Sequence, residues 1–303
     1  MAFAVFQERA RCRPIAGSLA VLCVLAFTFP HAQAAATDKA KPVPSPGQSD
    51  PRTLPEEQIS SPVDKITKPV DADAEAMRHN DLGVAFVFKG DLEQAIDEFK
   101  HALRLQPNYF AAHLNLANTL LDVGQHEDAV AEFRQALRLK PDDLKAHNDL
   151  GVALKAMGDL GGAITEFRTV LHRRPDDVNA HNNLGVALKA MGDLDGAIAE
   201  YRTAASLQPN DVNAHFNLGL ALMEKRNVDA AISEFKTALH LRPNDGKIRF
   251  NLGNALAGVG RRTEAAQELR QYLRLELDIP SNRRWIEQAE AKIRELEMPD
   301  SNR

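Results

Sequence analysis

Five histidines recur at a constant step of 34 residues, and imidazole is a common ligand of zinc. They are His79, His113, His147, His181 and His215. Packed helices lie ~8–10 Å apart, whereas two imidazoles sharing one zinc ion need their nitrogens within roughly 4 Å, given bonds of ~2.0–2.1 Å. We therefore expect these histidines to serve packing rather than to form a metal array.

A second polar column begins two residues after each histidine. It contains Asp81, Asn115, Asp149, Asn183, Asn217 and Asn251. A side-chain amide offers both a donor and an acceptor, so a ladder of asparagines matches the backbone of an extended peptide whatever its sequence. Hydrogen bonding between neighbouring helices is the alternative role for the same residues.

Both columns belong to a longer repeat that must position them. Residues 147–164 read HNDLGVALKAMGDLGGAI and residues 181–198 read HNNLGVALKAMGDLDGAI, with sixteen of eighteen positions identical. Prolines, small residues and aromatic residues keep the same step: Pro107, Pro141, Pro175, Pro209 and Pro243; Gly83, Ala117, Gly151, Gly185, Gly219 and Gly253; Phe99, Phe133, Phe167, Tyr201 and Phe235. The repeat defines six units at 76–109, 110–143, 144–177, 178–211, 212–245 and 246–279.

Each unit is predicted to contain two helices. In the fourth unit, apolar residues follow the i, i+3, i+4, i+7 pattern on both sides of Gly192-Asp193. Gly192 favours a break and Asp193 a cap for the next helix, while Pro209-Asn210 ends the second helix and offers a further cap. The fifth unit has Arg226-Asn227 in place of Gly-Asp, so we expect a locally different turn there.

This pattern of Leu-Gly, Ala, aromatic, Ala and Pro resembles the tetratricopeptide repeat family over residues 76–279. The resemblance implies an all-α right-handed superhelix, with the first helix of each pair lining a concave groove. One unit cannot bury its own apolar face, so units stack and share a core. The segment 280–298 is predicted to be a helix that caps the last unit, and 299–303 a tail.

The same resemblance places the asparagine column in the groove and adds further groove residues. The predicted peptide-binding residues are Asn115, Asn118, Lys155, Asn183, Lys189, Phe216, Asn217, Lys247, Phe250, Asn251 and Asn254. An apolar wall with lysines favours an extended or partly acidic peptide. The family's clamp for a C-terminal carboxylate is matched only at Asn217 and Lys247, so we do not predict that mode of recognition.

The first 75 residues differ from the repeats. Residues 1–34 combine three arginines, an apolar run (15–29) and an Ala-Gln-Ala exit, which is typical of a cleaved secretory signal peptide. A retained inner-membrane anchor is the alternative, and a lipoprotein signal is disfavoured by the place of Cys23. Residues 35–75 hold seven prolines and are predicted to form a disordered linker. We expect a periplasmic or secreted protein, without cysteine once the signal is removed.

The repeats favour an interaction protein over an enzyme. The sequence has no P-loop, G-x-S-x-G or H-E-x-x-H motif, and the net charge of -5 disfavours nucleic-acid binding. The repeats also resemble those of protein O-glycosyltransferases, but few residues follow them, so we expect no catalytic domain and no cofactor. We predict an exported scaffold that binds a protein or extended peptide in its groove, with no membrane contact after signal cleavage. The alternatives are a structural subunit of a cell-envelope assembly, acting through its convex face or its ends, and a regulatory module of a separate enzyme.

Overall fold

A computed structural model describes residues 71–276 and 282–298 of the chain. The predicted signal peptide, nearly all of the predicted linker and the tail at 299–303 lie outside the described residues. Thirteen helices and no strand occur in the described part: α1 (Ala72–Lys89), α2 (Leu92–Leu105), α3 (Phe110–Asp122), α4 (His126–Leu139), α5 (Leu144–Met157), α6 (Leu160–Arg173), α7 (Val178–Ala190), α8 (Leu194–Leu207), α9 (Val212–Glu224), α10 (Val228–Leu241), α11 (Gly246–Gly258), α12 (Arg262–Glu276) and α13 (Arg283–Glu297).

The helices form six consecutive pairs, each an odd-numbered helix packed on the even-numbered helix that follows it. Each pair then packs on the next pair through the even-numbered helix of the first. Successive odd-numbered helices also contact one another, whereas no comparable contact joins successive even-numbered helices in the described ranges. The stack therefore curves with its odd-numbered helices on the inner side, and the predicted all-α solenoid is confirmed.

A small residue facing a large one joins the two helices of most pairs. A Cβ atom added at Gly151 would lie 2.6 Å from the Phe167 ring, which is closer than atoms can approach. The same close fit recurs at Gly83 with Phe99, Gly185 with Tyr201 and Gly219 with Phe235. Phe99, Phe133, Phe167, Tyr201 and Phe235 are all fully buried. Leu269 is fully buried at the same place in the sixth pair, so one core runs through the whole stack.

A residue with a left-handed backbone conformation (positive φ) turns the chain between the two helices of each pair. Gly192 has φ 89°, and Asp193 accepts a hydrogen bond from the Gly196 amide, as the sequence predicts. Arg226 adopts the same left-handed conformation with φ 62°, so the backbone of the fifth turn does not differ. The local difference lies in the cap, since Asn227 makes no side-chain hydrogen bond to the start of α10. The predicted cap at Asn210 is wrong, since the neighbouring Asp211 is the residue that caps α9.

The two ends of the stack differ. At the carboxyl end, α13 packs on α12 and buries Trp285, Ala289 and Ile293, as expected of a capping helix. At the amino end, Leu82 is 44% exposed, although its equivalents in the later units are at most 3% exposed. The described residues provide no cover for α1 comparable to α13.

Candidate functional site

We call the exposed and half-buried side chains of the odd-numbered helices the inner surface. Its apolar part consists of partly buried residues that pack on the core: Leu121, Val152, Val186, Phe216, Leu220 and Met223. Phe216 lies 5.9 Å from the Phe235 ring, centroid to centroid, and remains half-buried. An apolar wall of this kind, flanked by polar side chains, suits an elongated ligand.

Two predicted binding residues make hydrogen bonds to the preceding unit. Asn115 donates its side-chain amide to Asn80 Oδ1, and Asn183 donates to Asn148 Oδ1, both at 2.9 Å. Each bond commits one of the two N–H groups of the donor. The asparagine column thus contributes to the packing of neighbouring helices in these two places.

The other predicted binding asparagines differ in whether their side chains already donate a hydrogen bond. Asn118 donates to the Leu114 carbonyl at 2.9 Å, and Asn251 donates to the Lys247 carbonyl at 2.8 Å, each within its own helix. Asn217 and Asn254 are half-buried, and the described part of the chain offers their side chains no hydrogen-bond partner. These two amides are therefore the most available to a ligand.

The lysines of the inner surface fall into different environments. Lys145 pairs with Asp149 at 2.6 Å, and Lys189 lies 3.6 Å from Glu224. Lys155 has neither a carboxylate nor another acceptor within reach among the described residues, and burial lowers its pKa. Lys247 is exposed.

Phe250 has a different role from Phe216, although the two occupy equivalent places. Phe250 is 6% exposed, with ring centroids 5.2 Å from Tyr272 and 5.5 Å from Trp285. The aromatic cluster anchors the capping helix to the sixth unit. A ligand can therefore reach little of Phe250, although the sequence suggested it as a binding residue.

The histidine column forms a clamp with a glutamate column that the sequence analysis missed. Each histidine Nδ1 lies 2.6 Å from the Oε2 atom of the glutamate nineteen residues later, in the pairs His79–Glu98, His113–Glu132, His147–Glu166, His181–Glu200 and His215–Glu234. In the last four of these pairs, Nε2 also lies 2.9–3.0 Å from a proline carbonyl six residues earlier. The constant step of nineteen residues between the two columns is the sequence signal that could have identified these pairs.

Both ring nitrogens of His113 face an acceptor, Glu132 Oε2 and the Pro107 carbonyl, so two hydrogen bonds there require two N–H groups. A carboxylate and a carbonyl both accept hydrogen bonds, and only the cationic imidazolium donates from both nitrogens. In the sixth unit Arg249 takes the histidine's place and donates to Glu268 at 2.7 Å and to the Pro243 carbonyl at 2.6 Å. The arginine shows that this position accommodates a cation with two donors.

The pKa of His113 reflects two opposing effects of its surroundings. Burial alone lowers its pKa, but the hydrogen bonds to Glu132 and to the Pro107 carbonyl outweigh burial, and the pKa is raised above 6.5. What the structure shows of the column is that each histidine joins the two helices of its own pair through its glutamate. Within residues 71–276 and 282–298, no group of three potential ligands is arranged to hold a metal ion, and no helix is long and apolar enough to cross a bilayer.

Solved structures share the fold. The MamA protein matches with 28% identity and a TM-score of 0.51, over 57% of this chain and 94% of that one. The pilF protein of Pseudomonas aeruginosa matches with 19% identity and a TM-score of 0.59, over 72% and 99%. A chain of the APC/C hetero-tetramer Cut9–Hcn1 matches with 19% identity and a TM-score of 0.59, over 74% and 43%. The last two likenesses concern the fold alone.

Family models match nearly the whole stack. Models described as tetratricopeptide repeats match residues 80–143, 120–186 and 222–280, and one described as TPR repeat matches residues 187–226. No curated protein matches the sequence significantly. The helix pairs, their packing and these matches agree, and the chain belongs to the tetratricopeptide repeat family.

Proposed function

We propose that this protein is an exported, non-catalytic scaffold that holds an extended segment of a partner protein along its inner surface. Tetratricopeptide repeats and structural neighbours of the same family support a role in protein–protein interaction. Export is inferred from residues 1–34, which lie outside the described part. The proposal names a polypeptide as the ligand and assigns no reaction to the chain.

One observation carries the groove part of the proposal. The half-buried apolar side chains of α9, Phe216 and Leu220, stand beside Asn217, whose amide has no partner among the described residues. An extended peptide presents alternating side chains and one donor and acceptor per residue, so it complements an apolar wall next to an amide. Since the wall is preformed, the protein loses little entropy on binding.

Site-specific photocrosslinking in intact cells tests the proposal. A photoreactive residue at Leu220 samples the inner surface, and one at Ser233, which is exposed on α10, samples the opposite side. We expect a discrete partner to be crosslinked from position 220 and not from position 233. The double variant Asn217→Ala/Asn254→Ala should weaken that crosslink while the melting temperature stays within about 2 °C, because neither amide supports the fold.

Crosslinking from position 233 alone would contradict binding along the inner surface and favour contacts through the even-numbered helices. An unchanged crosslink in the double variant would remove the asparagines from the site. The Asn183→Ala variant is unsuitable for this purpose, since it also breaks the hydrogen bond to Asn148.

A second candidate function, a structural subunit that assembles through its ends, is favoured by the amino-terminal end of the stack. Leu82 and Phe88 are 44% and 87% exposed on α1, whereas α13 covers the carboxyl end. Apolar ends meet each other more favourably than a capped end, so this assembly closes as a head-to-head dimer rather than growing as a filament. Light scattering of the full chain should then show a dimer that Leu82→Glu dissociates and the exposed control Met191→Glu does not.

A further inference from the structure

Lys155 and Lys189 occupy the same place in two nearly identical units. Each lies in the last turn of its odd-numbered helix, α5 or α7. The Lys189 ammonium lies 3.6 Å from Oε2 of Glu224, and only 10% of the lysine side chain is exposed. Glu224 is the last residue of α9, in the unit that follows. The following unit thus supplies a counter-ion to Lys189.

Lys155 lacks the corresponding partner. The residue that stands to Lys155 as Glu224 stands to Lys189 is Ala190, the last residue of α7. No carboxylate or other acceptor in the described ranges contacts the Lys155 ammonium. The same cation is therefore neutralised in one unit and left without a counter-ion in the other.

The apolar surroundings of Lys155 make the lack of a counter-ion energetically unfavourable. Apart from Lys189, the equivalent residues of the other units are apolar and packed on the core, namely Val87, Leu121, Met223 and Ala257. In that environment Lys155 is half-buried, and its burial lowers its pKa. A desolvated cation without a counter-ion is unfavourable, so a carboxylate brought to this place from outside relieves the penalty.

We propose that Lys155 binds a side-chain carboxylate, from Asp or Glu of the partner segment, at the place that Glu224 fills beside Lys189. The inference rests on the proposed function and adds an acidic residue to the partner. Helix α5 belongs to the third of the six helix pairs, so a segment lying along the inner surface passes Lys155 with internal residues rather than with its C-terminus. The partner residue that reaches Lys155 is therefore a side chain.

Four variants of the full chain separate this ion pair from general effects. Lys155→Met removes the cation and copies Met223, which already fills this column. Ala190→Glu supplies Lys155 with an internal carboxylate, in the geometry of Glu224, and Ala190→Gln provides the same bulk without charge. Lys236→Met is the control for the loss of a lysine, since its exposed ammonium lies on the even-numbered helix α10, 3.9 Å from Oε2 of Glu264. Ala190 is exposed at the end of its helix, so both substitutions there leave the packing intact.

The probe is a library of random decapeptides with both ends chemically capped. We expect the wild-type chain to enrich peptides that contain Asp or Glu. Fluorescence anisotropy then measures the affinity of the selected peptides for each variant. Lys155→Met and Ala190→Glu should lower the affinity for these acidic peptides about tenfold, which is the usual effect of losing a charge-assisted hydrogen bond. Ala190→Gln and Lys236→Met should change the affinity by less than about threefold.

Two results would overturn the inference. One is enrichment of peptides without acidic residues. The other is an Asp or Glu preference that survives both Lys155→Met and Ala190→Glu. A parallel library with free C-termini identifies the source of the carboxylate: if acidic preference vanishes and only uncapped peptides bind through Lys155, the ligand is a chain terminus and the side-chain assignment is wrong.

The outcomes also separate this inference from the proposed function. Enriched neutral peptides that need Leu220 and Asn217 leave groove binding in place and remove only the carboxylate site. If the wild-type chain enriches no peptide in either library, and position 220 crosslinks nothing in cells, both proposals fall together.

Discussion

The interior of each helix pair and the inner surface follow opposite rules. Inside the pairs, the same contacts recur almost without change, as in Gly151 with Phe167 and His147 with Glu166. On the inner surface, equivalent places hold Leu121, Lys155 and Met223. The repeated contacts specify a fold that is common to all units, and the departures from repetition give each unit a distinct surface. Recognition in such a protein is therefore sought where the repeat is broken.

The largest effect is expected from breaking a repeated contact. Replacing the fully buried Phe167 by Ala leaves a cavity against Gly151 and should lower the free energy of unfolding by about 3–5 kcal/mol. Asn217→Ala, on the inner surface, should change it by less than about 0.5 kcal/mol. Urea unfolding followed by circular dichroism measures both. Equal losses in the two variants would contradict the division between interior and surface.

A smaller effect is expected from the clamp at His113, whose raised pKa links stability to pH. Its stabilising contribution is complete below about pH 6.5 and is lost as the pH rises through the raised pKa of the folded state, where one donor disappears. Between pH 6 and pH 9 the loss should be about 1 kcal/mol. His113→Arg copies Arg249 and should reduce the fall in melting temperature over this range.

Several charged groups surround His113, and the comparison of the wild-type protein with His113→Arg accounts for their contributions. Glu132 accepts its hydrogen bond, and Lys100 and Arg104 line the same surface depression. These groups are present in both proteins, so their contributions cancel. Identical pH profiles for wild type and His113→Arg would show that the imidazole does not titrate in this window.

The smallest effect is expected at the turn of the fifth unit, where Arg226 replaces the glycine found at the equivalent turns. Arg226 has a left-handed backbone conformation with φ 62°. This conformation is unfavourable for any residue with a Cβ atom, because Cβ then lies too close to the carbonyl oxygen that follows. Arg226→Gly should raise the free energy of unfolding by about 0.5 kcal/mol, because relief of strain exceeds the added entropy of the unfolded chain. Gly192→Ala, at the equivalent turn, should lower it by about 1 kcal/mol. A loss of stability in Arg226→Gly would contradict this reading.

The sequence was sufficient for the fold because packing recurs at a fixed step. The prolines, the Gly column and the aromatic column locate both helices of the first five units, and the segment 280–298 was predicted to be the capping helix. The left-handed conformation of Arg226 could not be predicted, because a backbone held by its neighbours can impose that conformation on a residue that does not favour it.

The candidate site was less accessible to sequence reasoning. The column pattern shows that Asn115 and Asn217 are equivalent, but only the structure shows that Asn80 accepts a hydrogen bond from Asn115 and that Asn217 has no such partner. The difference between Lys155 and Lys189 depends on a residue 35 positions away in both units, Ala190 or Glu224. A side chain's partners come from the adjacent unit, so one column read alone could not separate the two lysines.

The position of α13 also has a consequence for how the array comes apart. The sixth helix pair is held from both sides, by α10 and by α13, whereas within the described ranges the first pair has only α3 as a neighbour. Because each unit draws its stability from adjacent interfaces, local opening should start at α1 and α2 and proceed toward the carboxyl end. Amide protons would then exchange with deuterium in a gradient along the chain, fastest in the first unit.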